Sequence, residues 1–502
     1  MNRPASLSGA GMIVVMTLFT QACGPGALVD ERDAVAEFPT TLKEVSGKEP
    51  RSRQLELERW ETDEGARVLF MGSEQLPMVD LRLVFNAGAA RDGDHPGLAS
   101  LTSHLLDQGA DGMDVDEIAR GFEDLGARFD TSSHRDMGVV NLTVLSEAKY
   151  REPAVELFRR VVSQPDFPEE AVTRARNRYL QSLRMETQVP GPQVERAFYE
   201  TLYGEHPYGS WPSGNEESIP RIGREQLREF HRRYYTGANA VIAIVGDLDE
   251  DEARELAARI SASLPEGDAA EPVDEAPALA ERSSRHIDFD SGQTHIHLGN
   301  TMVERGHPDY AALHVGNHIL GGGGFTSLLM DEVRQRRGLV YGIRSGLTPM
   351  ASEGPFRITL QTANHNADDA LGLTLSLVED FVREGPTQEQ VDRAVDYLTG
   401  SFALSTASNS QIVGQLGSIG FYDLPLDHLD RFQQEVRAIT PEQVHRAMRE
   451  HLDPQSLAVV SIGPARPELP DSGELEEIRE EHEEYEDEAL PEPGPARDHP
   501  GH

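Results

Sequence analysis

The chain has one cysteine, Cys23, in 502 residues, so no intrachain disulfide can form. Basic residues are scarce. Only 46 Lys and Arg stand against 86 Asp and Glu, a formal net charge of -40. Such a chain is repelled by nucleic acid and by anionic lipid surfaces, which argues against a nucleic-acid partner. The acidity reads either as a solvated surface suited to a salty habitat or as an attraction for basic peptides. The apolar run at residues 11–19 is too short to cross a bilayer as a permanent helix. What the chain does have is a 38% hydrophobic fraction and enough length for two to four domains.

The lone cysteine is informative through its position. Arg3, the apolar run, and small residues ending at Ala22 have the layout of a secretory signal. Cys23 directly after Ala22 resembles a bacterial lipobox, with Thr20 where leucine is usual; Cys23 is therefore the expected lipidation site. Gly24 after it, rather than aspartate, favours the outer membrane by the same resemblance. The expectation is a lipoprotein on the periplasmic side of a bacterial envelope, held to the membrane through its lipid. A plain signal peptide with an incidental cysteine is the alternative.

Residues 24–55 read as a polar tether. Regular patterning follows, with strands in ARVLFMG and MVDLRLVFNAG and helices near 95–108, 115–126, 148–163 and 168–186. NAVIAIVGDL reads as a buried strand, and DEDEARELAARISASL as a helix with an acidic first turn. Residues 263–284, rich in Pro, Ala, Glu and Asp, read as a linker. The second half then repeats the first. HPGLASLTSHLLDQGA from His95 is echoed by HPDYAALHVGNHILGGGG from His307, and NAVIAIVGDL by SLAVVSIGPA from Ser456. The expected fold is α+β, two homologous units over 56–262 and 285–465. Residues 466–502, Glu-rich and aromatic-poor, read as a disordered tail.

The repeat, the Gly-Leu-Ala helix opening and the GGGGFTS turn together resemble the pitrilysin/insulinase family of zinc peptidases over about 400 residues, roughly 55–465. The resemblance implies that each unit is a mainly antiparallel sheet packed with helices, and that the pair forms half of a clam-shell chamber. Family peptidases carry H-x-x-E-H on the first helix. Its two histidines bind zinc, its glutamate is the general base, and a distant glutamate completes the site. Here the corresponding positions are Ser100, Ser103, His104 and, after 76 intervening residues, Gln181, with Arg174 replacing a further carboxylate. Neutral serine is a poor zinc ligand, glutamine brings no charge, and Ser103 cannot take a proton from water at neutral pH. No catalytic residue and no metal site are therefore expected in this chain, and His104 is expected only to pack or hydrogen-bond. A relocated metal site using His104 with His95 or another histidine is the rival reading.

The second half keeps another family feature. Residues 321–324 (Gly321, Gly322, Gly323 and Gly324) lack the Lys-Ser/Thr of a phosphate loop and read as a flexible turn that lets substrate pass closely. Beyond them lie Arg334 and Tyr341. Spacing alone reads these as part of a basic helix face, with Arg336 and Arg337, and a core tyrosine. The resemblance implies instead that both reach toward the substrate backbone, where a guanidinium and a phenol can donate to a carbonyl. Some relatives divide labour between a zinc-bearing chain and one that keeps only this pair. The expectation is a non-catalytic subunit that helps bind unfolded peptide, with the zinc in a homologous partner. The alternatives are a structural or binding lipoprotein without a role in proteolysis, and a zinc endopeptidase with displaced ligands.

Overall fold

Seven consecutive buried residues, Ala240–Gly246, make a strand that solvent reaches on neither face, and the architecture follows from what covers each side. In a computed structural model of the chain, residues 55–471 and 473–479 are described. The leader, Cys23, nearly all of the tether and the acidic end from residue 480 onward lie outside them.

In the first half, the strands are β1 (Glu58–Glu61), β2 (Arg67–Gly72), β3 (Met78–Phe85), the short hairpin β4 (Gly109–Ala110) and β5 (Met113–Asp114), β6 (Arg128–Ser133), β7 (Gly138–Leu145) and β8 (Ala240–Gly246). Six of them form one sheet in the order β1-β2-β8-β3-β7-β6, antiparallel except for β2 against β8. Its helices are α1 (Leu98–Leu105), α2 (Val115–Asp124), α3 (Ala148–Ser163), α4 (Glu169–Glu186), α5 (Pro190–Tyr203), α6 (Arg224–Tyr234) and α7 (Glu250–Ser261). The acidic start of α7 is a capping box between Asp249 and Glu252.

The second half builds a five-stranded sheet from β9 (Ser283–Asp288), β10 (Gln293–Thr301), β11 (Val340–Leu347), β12 (Pro355–Ala363) and β13 (Ala458–Gly463). Its order is β11-β12-β10-β13-β9, again antiparallel except for one pair, β13 against β9. Its helices are α8 (Tyr310–Asn317), α9 (Ala367–Glu384), α10 (Gln388–Phe402), α11 (Asn409–Phe421), α12 (His428–Ala438) and α13 (Pro441–His451). The fold is thus α+β in two repeated units, and the connection over 262–282 carries no helix or strand.

The halves exchange helices. On β8, Ala240, Ile242 and Ile244 face the first half's own core, whereas Val241, Ala243 and Val245 pack against Ile412, Leu416 and Ile419 of α11 from the second half. Conversely, Ala458, Val460 and Ile462 of β13 pack against Phe198, Tyr199 and Leu202 of α5 from the first half. Both strands are unbroken apolar runs because each has a helix from the other half over one face. Helix α11 lies flush on the sheet because Gly420 has no side chain. A Cβ there would stand 2.4 Å from Val241 Cγ1 and 2.6 Å from Leu69 Cδ1. Gly420→Val is expected to lower stability by about 2 kcal/mol through overpacking, read as a lower urea midpoint; an unchanged midpoint would show that the helix can lift without cost.

The end of the described chain differs from the expected free tail. Residues 473–479 are helical and dock on the second half, with Leu475 buried and Leu469 and Ile478 against its core. Three apolar side chains among the glutamates form a narrow stripe that average composition hides.

Candidate functional site

Helix α1 is held at its start by Asp92, whose carboxylate accepts the backbone N–H groups of Gly97 and Ala99 at 2.7 Å each. Burial raises this carboxyl to about 7, against the pull of those two donors. The helix carries Ser100, Ser103 and His104, and of the two serine hydroxyls only that of Ser100 has a hydrogen-bond partner among the described residues, Ser103 Oγ being buried without one. Ser100 Oγ donates to the Pro212 carbonyl at 2.6 Å, and the Ser100 carbonyl accepts from Tyr179 Oη at 3.2 Å. Ser103 is buried, and its carbonyl accepts from Thr131 Oγ1 at 3.0 Å. His104 is half-buried with its ring centroid 6.0 Å from that of Tyr179. Its pKa lies below the ordinary value, chiefly through burial and then through the Arg178 charge, with Asp107 opposing. Gln181 and Arg174 sit exposed on α4.

One imidazole, two hydroxyls and a neutral amide, with Arg178 close enough to repel a cation, do not fit zinc. Among the described residues, neither His104 nor His95 belongs to a group of three His, Cys, Asp or Glu side chains close enough to share an ion.

The glycine run departs from a flexible turn. A π-helical turn, His318–Gly322, continues α8, and a Cβ on Gly321 would stand 2.7 Å from the Ser345 backbone nitrogen. Gly322 is equally tight against Asn317 Nδ2, at 2.7 Å. Gly321 therefore lets the helix press against β11, whereas Gly322 makes room for Asn317 of its own helix, and Ser345 Oγ donates to Asn317 Oδ1 at 2.8 Å across the contact with β11. Only Gly324, at φ +62°, takes a conformation that favours glycine. Phe325, next to it, is 67% exposed.

Arg334 lies in a second π-helical stretch, Met330–Arg336, with its guanidinium carbon 5.3 Å from the Phe325 ring centroid. Among the described residues it has no carboxylate partner. Tyr341 is not a core residue. It is the extra residue of a bulge in β11, between Val340 opposite Thr362 and Gly342 opposite Gln361, and is 56% exposed. No hydrogen bond among the described residues joins Arg334 to Tyr341.

Between the glycine turn and the sheet runs an open cleft of about 540 Å³. Gly321, Gly322 and Gly324 line it together with His295, Arg344 and Gln361; Gly323, Arg334 and Tyr341 are not on its wall. The sheet register explains the added residues: His295 and His297 share one face of β10, opposite Gln361 and Thr359 of β12. Alternation in QTHIHLG was the signal that could have found them. His297 is buried partly by Phe198 of α5, 6.1 Å away between centroids. Burial, then Arg357, His295 and Arg344, lowers its pKa to about 3, so it is neutral at physiological pH.

Residues 67–212 match the family described as insulinase, peptidase family M16, and residues 221–398 match the peptidase M16 inactive domain. A crystal structure of a peptidase M16 inactive domain from Pseudomonas fluorescens is 45% identical, with a TM-score of 0.80 over 83% of this chain and 100% of that one. An uncharacterized zinc protease of Mycobacterium tuberculosis is 26% identical over 73% of this chain and 84% of its own. The non-peptidase homolog YmxG of Helicobacter pylori is 23% identical over 78% of this chain and 91% of its own.

Proposed function

Because the chain belongs to the insulinase (peptidase M16) family yet lacks its zinc-binding set, we propose that it is the non-catalytic subunit of an envelope peptidase pair. It binds unfolded peptide beside the active site of a homologous, zinc-bearing partner, which supplies the metal and the general base. The observation that carries this reading is the bulge that turns Tyr341 outward on an edge strand, where an extended peptide has open backbone groups to pair with. Arg334, lying against exposed Phe325 with no carboxylate partner among the described residues, is a second donor for a substrate carbonyl. The glycine turn and its cleft give the peptide a path across the sheet. The name of the Helicobacter relative, a non-peptidase homolog, agrees with a family member that does no chemistry. The lipobox at Cys23 supports a place at the outer membrane, facing the periplasm.

The test is peptide hydrolysis by this chain, by an intact H-x-x-E-H relative from the same organism, and by the two mixed. Activity is expected only on mixing. Arg334→Ala should lower kcat/KM of the mixture by about 10²-fold, the range found for removing one preorganised donor. Full activity of the relative alone, or an unchanged rate with Arg334→Ala, would instead favour a purely structural lipoprotein.

A further inference from the structure

We propose that His307, Asp309 and His451 form a binding site for a divalent transition metal of zinc type. The site lies in the second half, away from the degenerate zinc helix, and does not depend on the function proposed above. Asp309 precedes the first turn of α8, His307 lies two residues before it, and His451 ends α13. One ligand atom from each lies within 4.8 Å of the other two, and all three side chains are partly buried.

The geometry admits a metal in place of the ion pair that His451 and Asp309 make. His451 Nε2 and Asp309 Oδ2 stand 3.2 Å apart. Two ligands each about 2.0–2.1 Å from zinc at a tetrahedral angle are about 3.3 Å apart, so an ion fits between them with little movement. His307 Nδ1 accepts the Asp309 backbone N–H at 3.1 Å; ligation through Nε2 requires that bond to give way so that Nδ1 carries the ring proton. The His307 and His451 rings meet edge-on with centroids 5.0 Å apart.

Outer contacts hold the set in place. Arg446 Nη2 donates to Asp309 Oδ1 at 2.6 Å, leaving Oδ2 for the ion, and Asn300 Nδ2 donates to the His451 carbonyl at 2.7 Å. Two imidazoles and one carboxylate suit zinc, nickel or copper rather than magnesium or calcium. An ion here would clasp the start of α8, which leads into the glycine turn, to the end of α13.

The test is zinc binding by the metal-free full chain, measured by competition with a chromogenic chelator, with circular dichroism as a folding control. About one zinc per chain is expected. His307→Gln and His451→Gln should each weaken it more than about 10-fold, the least that losing even an outer partner costs. His104→Gln should leave it unchanged. Cobalt added to the wild-type chain should give visible d–d bands, a readout that stands even if a variant fails to fold. Absence of both zinc binding and cobalt bands in the wild type, zinc that survives both substitutions, or zinc lost only with His104→Gln would each overturn the proposal.

Discussion

Asp136→Ala is expected to destabilise the protein by about 3–5 kcal/mol, the scale of breaking a buried, multiply bonded charge. Asp136 sits in the turn between β6 and β7 and is 3% exposed. Its carboxylate accepts from Tyr208 Oη, from Tyr422 Oη at 3.0 Å and from the Ala351 backbone N–H at 2.9 Å. Tyr422 and Ala351 belong to the second half, so a single side chain ties the two units together. Burial, and then the Asp136 charge, push both phenols above the usual tyrosine value, so they remain donors at any working pH. Alanine leaves all three donors facing a void, each costing about 1–3 kcal/mol. Asp136→Asn keeps one acceptor oxygen and should cost less. The urea midpoint measures both, and an alanine variant within about 1 kcal/mol of wild type would mean that water replaces the carboxylate.

The consequence reaches beyond stability because the units are interlocked. Helices α5 and α11 each complete the other half's sheet, so loosening Asp136 exposes two apolar faces together. Its loss should therefore broaden the unfolding transition or split it in two, since cooperativity between the halves depends on such bridges.

The parts of this architecture that were readable in the chain are those with local causes. The apolar runs at 240–246 and 458–463 announced buried strands, and their continuity encoded the helices that cross between halves, although nothing in the pattern says which helix covers which strand. The serines at 100 and 103 were legible beside His104 because those three positions share one helix. Tyr341 was harder: Val-Tyr-Gly-Ile alternates as a core strand would, and only the bulge turns the tyrosine out. Residues 467–479 escaped because a stripe of three apolar side chains is lost among glutamates. The His307–Asp309–His451 group joins residues 142 positions apart that only the packing of α8 on α13 brings together. His295 and His297 alternated correctly, but their cleft depends on a register set across three strands.

Acid should unfold this protein well before its surface carboxylates are exhausted. His231 is buried and His314 and His297 are partly buried, with pKa values lowered by burial to about 4, about 4 and about 3. His231 Nε2 is 2.7 Å from the Val162 carbonyl, and the ring stacks on Tyr235. In the unfolded chain these groups take up protons near the ordinary value of about 6.5, but the native state takes up none until nearer 4. Stability is therefore present above pH 6.5 and falls as pH drops from there to 4, by about 3 kcal/mol for each histidine. Asp92 works in the opposite sense. Its carboxyl is raised to about 7 by burial, so the native state binds a proton that the unfolded state does not, and about 4 kcal/mol is regained over the same window. Among these four groups the three losses outweigh the one gain, so their combined effect is a fall in stability toward acid. His231→Gln, which can keep the bond to Val162, should flatten the fall by about 3 kcal/mol between pH 7 and pH 4 whatever it costs at neutral pH. Urea midpoints for both proteins across that range decide it: parallel slopes would mean that His231 takes up its proton in the folded state, and that the chain opens locally to let it in.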